Sequence, residues 1–398
     1  MLRRTKYRVG IGSALALVIG AVAGTAAYAS PWDHDHDRDT AQTRHFTPAV
    51  SADVLTGTTA AKMVSSTIPM NGDLNPYGVA VVPYGMGKLV TGDVLVSNFN
   101  NKANMGGTGT TIIEVNPTTG TKAIFATLTA SSLPSSCPGG IGLSTALVVL
   151  RNGWVLVGST PTTDGTPATL HSGCLILINS MGQARAVITG HGINGPWDMT
   201  AVDRGNSVQL FVTNVLNGVA TGMGKQVNEG TVVRFNLAVT RQRFRILSVV
   251  TVASHLPEMA STASLIQGPT GVAVIGSTLY IADTLGNRIA SIPYATTRWN
   301  SDGLGGTVAE GGLIQGPLGL TALPDGVLLT ANGNNGNLVA VTTHGATALV
   351  KALDTTAVTG AQAGAGSLFG LFPSNDGKSV FYVDDISNTL NWLGPLKD

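Results

Sequence analysis

Residues 33 to 39 of this 398-residue chain read DHDHDRD, an alternation of imidazoles and carboxylates of the kind that binds zinc or copper. A working metal site needs ligands held in fixed geometry. No apolar periodicity flanks this run, so the expectation is a solvated, disordered linker. A second set of candidates is spread along the chain. Asn98, Asn214, Asp283, Asn332 and Asp384 or Asp385 each follow a short apolar run. Oxygen donors of this type suit a hard cation such as Ca²⁺. Asp198 joins them because it stands where related segments carry glycine. The candidate metal set is therefore Asp198, Asn98, Asn214 and Asp283. Asn and Asp also end strands and make turns, and that reading stands beside the first. The glutamates that would complete such a set, Glu114, Glu229, Glu258 and Glu310, are expected in third strands of the repeat or in loops.

Other chemistries find little support. The remaining histidines, His45, His171, His191, His255 and His344, fall in different segments and form no H-E-x-x-H pattern. No phosphate-binding lysine loop, G-x-S-x-G elbow or EF-hand loop occurs. The glycine-rich stretch MGGTGTT at 105 to 111 leads into a strand and lacks a lysine. No catalytic residue and no residue binding an organic cofactor is assigned. A net charge of +1 gives no electrostatic reason to expect nucleic acid as a partner.

The elements that must position these residues come from a repeat. NPYGVAVVP at 75 to 83 recurs as GPWDMTAVD from Gly195, GPTGVAVIG from Gly268 and GPLGLTALP from Gly316. Weaker copies begin at Gly139 and Leu368. Each is followed by a second and a third apolar run, and most by a fourth. Six copies of four short strands, spaced by roughly 50–70 residues, predict an all-β, six-bladed β-propeller with four-stranded blades. The aligned first-strand positions are Gly78, Gly142, Asp198, Gly271, Gly319 and Gly370. Glycine there permits close backbone approach around a crowded channel, and proline fixes the entry turn. The sixth copy ends after its third strand. The segment AAKMVSST at 60 to 67 has the pattern of a fourth strand, so an N-terminal strand is expected to close the ring and remove its open edges.

The Pro-x-Gly-apolar starts and the stretch YIADTLGNRIASI at 280 to 292 resemble NHL-type repeats, with Asp283, Asn287 and Arg288 in the matching positions of blade four. The resemblance implies a propeller from about residue 60 onward. It implies function less directly, because such propellers include both binding platforms and enzymes. Six-bladed calcium-dependent lactonases and phosphotriesterases use Asp, Asn and Glu in such a channel.

Before the repeat, Arg3, Arg4, Lys6 and Arg8 precede an apolar run and an A-Y-A cleavage pattern at 27 to 29. The expected organisation is a signal peptide at 1–29, a disordered linker at 30–52 and the propeller at 53–398. The apolar run is shorter than the ~20 residues of a spanning helix, so no stable membrane insertion is expected after cleavage. Export to a periplasmic or extracellular space favours a disulfide between Cys137 and Cys174, the chain's two cysteines. The functional expectation is a non-catalytic binding platform for an unknown protein, glycan or small-molecule ligand. The alternative is a calcium-assisted hydrolase with its site at the channel mouth.

Overall fold

The computed structural model describes residues 59–261 and 264–395. The expected signal peptide, linker and first propeller residues, 53–58, lie outside the described residues. Strand β1 (Thr59–Ser66) comes first. Blade one is β2 (Leu74–Val81), β3 (Val94–Asn100), β4 (Thr111–Val115) and β5 (Lys122–Thr127). Blade two is β6 (Leu143–Val149), β7 (Val155–Ser159), β8 (Cys174–Ile178) and β9 (Ala184–Ile188). Blade three is β10 (Pro196–Asp203), β11 (Ser207–Asn214), β12 (Val227–Val239), the long β13 (Phe244–Ser261) and the short β14 (Leu265–Gln267), with a one-turn helix α1 (Val219–Gly222). Blade four is β15 (Pro269–Ile275), β16 (Thr278–Asp283), β17 (Arg288–Ile292) and β18 (Gly306–Glu310). Blade five is β19 (Pro317–Ala322), β20 (Leu328–Asn332), β21 (Asn337–Val341) and β22 (Thr347–Ala352). Blade six is β23 (Leu368–Pro373), β24 (Val380–Asp384) and β25 (Thr389–Pro395).

The six-bladed β-propeller is as the repeat predicts. All strand pairs are antiparallel, and blade six takes β1 as its fourth strand, in the order β1-β25-β24-β23. Each first strand packs against the first strand of the next blade, and β23 packs against β2 to complete the circle. The core lies between blades, in clusters that each join strands of neighbouring sheets. Second and third strands such as β3, β8 and β20 are wholly buried, while fourth strands such as β5 and β22 alternate toward solvent.

Close approach at the axis explains the glycines. A Cβ at Gly319 would overlap the carbonyl oxygen of Phe369, and one at Gly370 would overlap that of Tyr77. One alignment needs correction. Leu147 pairs with Val157 as Val79 pairs with Val96, so blade two carries an extra residue in its bulge. Ala146, not Gly142, therefore occupies the position of Gly78. The fourth strand of blade four, β18, is also found. Its sequence, GTVAE, carries only one large apolar residue.

Cys137 and Cys174 form a disulfide with a Cα–Cα distance of 5.5 Å. It ties the loop before β6 to the start of β8 and packs within the core of blades one and two.

Candidate functional site

Each first strand enters the ring through a bulge, and the residue just past it is buried beside the ring's central cavity. Val79, Leu147, Met199, Val272, Leu320 and Leu371 occupy this register, one per blade. Together they border the cavity at the ring's waist. Asp198 borders the same cavity. Its backbone N–H donates to Thr213 Oγ1 at 2.9 Å, and its carboxylate accepts from the N–H of Met199 at 2.7 Å. Burial pushes this carboxyl well above the usual range, against the Met199 hydrogen bond.

The other candidates fall elsewhere. Asn214 and Asp283 end second strands and Asn98 lies two residues before the end of another, each opposite the proline of its neighbouring first strand. Asn214 Oδ1 accepts from the N–H of Asn194 at 3.1 Å, and Asn332 Oδ1 accepts from that of Gln315 at 3.2 Å, so both hold down an incoming loop. Asn98 donates to the carbonyl of Thr67 at 3.2 Å. Asp283 pairs with Arg288 Nε at 2.9 Å and accepts from the N–H of Gly286. Burial pushes Asp283 up, and Arg288 opposes that shift. No hydrogen bond or ion pair joins any two of Asp198, Asn98, Asn214 and Asp283 among the described residues. Nor do three His, Cys, Asp or Glu side chains come together there to hold a metal ion. Asp283 has Arg288 as its counter-charge, and Asn214 Oδ1 has the Asn194 N–H as its donor.

The mouth, where the first strands begin, is apolar. The residues before the aligned first-strand positions include Tyr77, Trp197 and Phe369. Tyr77 stacks on Phe369 at 4.1 Å and on Phe99 at 4.6 Å, and Trp197 meets both Tyr77 and Phe99 edge-on. Val215, Val219, Leu265 and Ile266 join this cluster from blade three. Here α1 and β14 are the additions that no other blade has.

Beside this cluster lies Glu258, which sequence reasoning assigned to a third strand or loop. It sits instead on the fourth strand β13, opposite Val227 of β12. Its side chain is wholly buried, and neither carboxyl oxygen has a hydrogen-bond partner. Burial pushes Glu258 up to about 9, and the neighbouring charge of Glu229 adds to the shift. Its carboxyl is therefore protonated at neutral pH. Glu229 is exposed on β12, with its carboxyl against Gly218 at the start of α1. Asp385 is a further acid near the mouth. Burial pushes it to about 7, helped by Asp384, and its charge raises the buried Tyr77 hydroxyl, which burial has already shifted up. The chemical capacity of this site is proton transfer next to an apolar surface.

No protein-family model and no curated protein matches the chain. Its fold is similar to a gluconolactonase from Xanthomonas campestris, with a TM-score of 0.52 at 13% identity over 87% of this chain and 93% of that one. It is also similar to a luciferin-regenerating enzyme, with a TM-score of 0.52 at 9% identity over 85% and 96% of the two chains. At such identities the likeness is one of fold. The expectation of a non-catalytic platform is nonetheless corrected, because the propellers that share this ring are named as enzymes. The structure gives a physical reason as well. The mouth holds a buried acid in an apolar setting, which a docking surface does not need.

Proposed function

We propose that this chain is an enzyme of the hydrolase type, acting on an ester or lactone at the mouth of its channel. The observation that carries this reading is Glu258. A buried structural carboxyl is normally paired or hydrogen-bonded, and one left unpartnered next to a second acid is a candidate for catalysis. In this scheme the protonated Glu258 gives its proton to the departing alkoxide oxygen. The exposed carboxylate of Glu229 accepts a proton from the attacking water. The net reaction adds one water across the C–O bond, and proton exchange with solvent resets both acids.

The reading takes no step through calcium. Calcium assistance remains a separate arm of the test, and it requires loss of turnover in a chelator with recovery on adding Ca²⁺. The disulfide suits an oxidising compartment. Among the described residues no helix is long and apolar enough to cross a membrane. The disulfide accords with an exported protein.

The test is turnover of a panel of aliphatic and aryl lactones and esters by wild type and Glu258→Gln. The expected result is hydrolysis by wild type and a loss of about 100-fold or more in the variant, with its fold intact by circular dichroism. Absence of turnover across the panel, or equal rates for the two proteins, would overturn the reading.

A further inference from the structure

The cavity at the waist is small: the centres of water molecules can occupy about 30 Å³ of it, room for one or a few. Its apolar border is the ring of six side chains from Val79 to Leu371 described above. Its polar border is one carboxylate, Asp198, and three hydroxyl side chains, Thr145, Thr200 and Thr321. They come from blades two, three and five. Asp198 accepts one hydrogen bond, from its neighbour's N–H. The three hydroxyls have no hydrogen-bond partner among the described residues. Four oxygen-bearing side chains thus border one small, partly open space, with Thr145 and Thr321 themselves buried. Such a group is costly to bury unless something in the space satisfies it.

We propose that the waist binds a single monovalent alkali cation, with Asp198 as the anionic ligand and Thr145, Thr200 and Thr321 as neutral oxygen ligands. Hard cations of this kind prefer oxygen donors, as Ca²⁺ does. The charge balance selects the valence. Asp198 is the one charged residue at this cavity. A monovalent ion makes the site neutral, whereas a divalent ion would leave a net positive charge inside an apolar ring. Because the ion contacts first strands of three blades, it would act as an axial fastener of the ring. The proposal is independent of the reaction at Glu258.

The experiment is thermal unfolding in sodium chloride against choline chloride at equal ionic strength. Wild type should show a saturable rise in Tm of about 2–4 °C with sodium and none with choline. Asp198→Asn should lose the sodium response, and Thr321→Val should need a higher sodium concentration for the same rise. Should Asp198→Asn fail to fold, saturable broadening of the sodium NMR line by wild type, weakened in Thr321→Val, decides the matter. Equal Tm in the two salts without line broadening would overturn the proposal, leaving Asp198 a neutral acid in a hydrated cavity. A response to Ca²⁺ but not sodium that depends on Asp198 would also overturn it, and so would a sodium response retained by Asp198→Asn.

Discussion

Asp198 at the waist is a half-buried acid and Glu258 at the mouth a wholly buried one, both of blade three, and their surroundings differ. Asp198 faces hydroxyl groups across a small space. Glu258 is wholly buried beside Gly268 and Val215, and its carboxyl has no hydrogen-bond partner. Burial raises both carboxyls, but the neighbours decide what each acid is fit for. An acid among unengaged oxygens forms part of a ligand shell. An acid kept from any donor holds its own proton and is ready to give it away.

The strongest way to break the comparison is to open the ring. Asp198 lies on a first strand of the ring and Glu258 on the fourth strand of the same blade. Deleting Thr59–Ser66 leaves the edge of β25 unpaired in blade six, and the product should aggregate. Size-exclusion chromatography checks this, and a monomer of unchanged Tm would contradict it.

Removing the disulfide should have the next largest effect and should spare the contrast. Replacing Cys137 and Cys174 by Ser opens a link spanning 37 residues and should cost about 3–4 kcal/mol of stability. Denaturant unfolding measures the loss. Turnover at the mouth should persist at temperatures where the variant remains folded, since the bridge lies in the core of blades one and two and away from Glu258.

A smaller effect separates the two acids by pH. The folded Glu258 carboxyl, at about 9, lies far above its ordinary value of 4.5. The folded state therefore keeps a proton that the unfolded state releases. Its stabilising contribution is complete below about pH 4.5 and is lost as pH rises through about 9. Stability of wild type should fall over this window, and Glu258→Gln should flatten the curve. Parallel curves for the two proteins would remove Glu258 as a buried titrating group.

The smallest expected change is at Thr200, one hydroxyl among several at the waist. Thr200→Val should alter Tm in choline by no more than about 1–2 °C, while shifting the sodium midpoint upward. An unchanged sodium midpoint would take Thr200 out of the ligand set.

Much of the ring was legible because its signals are local. The Pro-x-Gly entry, the paired apolar runs and a leftover strand pattern at 60 to 67 all lie within a few residues of each other. The bulge in blade two was not, because an inserted residue shows only when Leu147 is seen opposite Val157. The mouth was half visible. Tyr77, Trp197 and Phe369 stand at one position of the motif, but attention to the flanking Pro and Gly passed over them. Glu258 carried no signal at all. Within SVVTVASHLPEMAS it reads as a polar interruption, and its burial comes from α1 and β14, which pack on it from other parts of blade three. Asp198 showed itself by breaking a series. Its companions Thr145, Thr200 and Thr321 did not, since threonine is common in strands.

The pairing of β1 with β25 sets a schedule as well as a shape. The first strand of the ring to leave the ribosome must wait for the last one, across more than three hundred residues, before it finds its partner. Until then blade six has an open flank and the axis is not enclosed. Contacts this distant in sequence form slowly, and an incomplete ring shows bare strand edges to its neighbours. The period between first and last strand is therefore when this chain is most exposed to self-association, and chaperoning would matter most then.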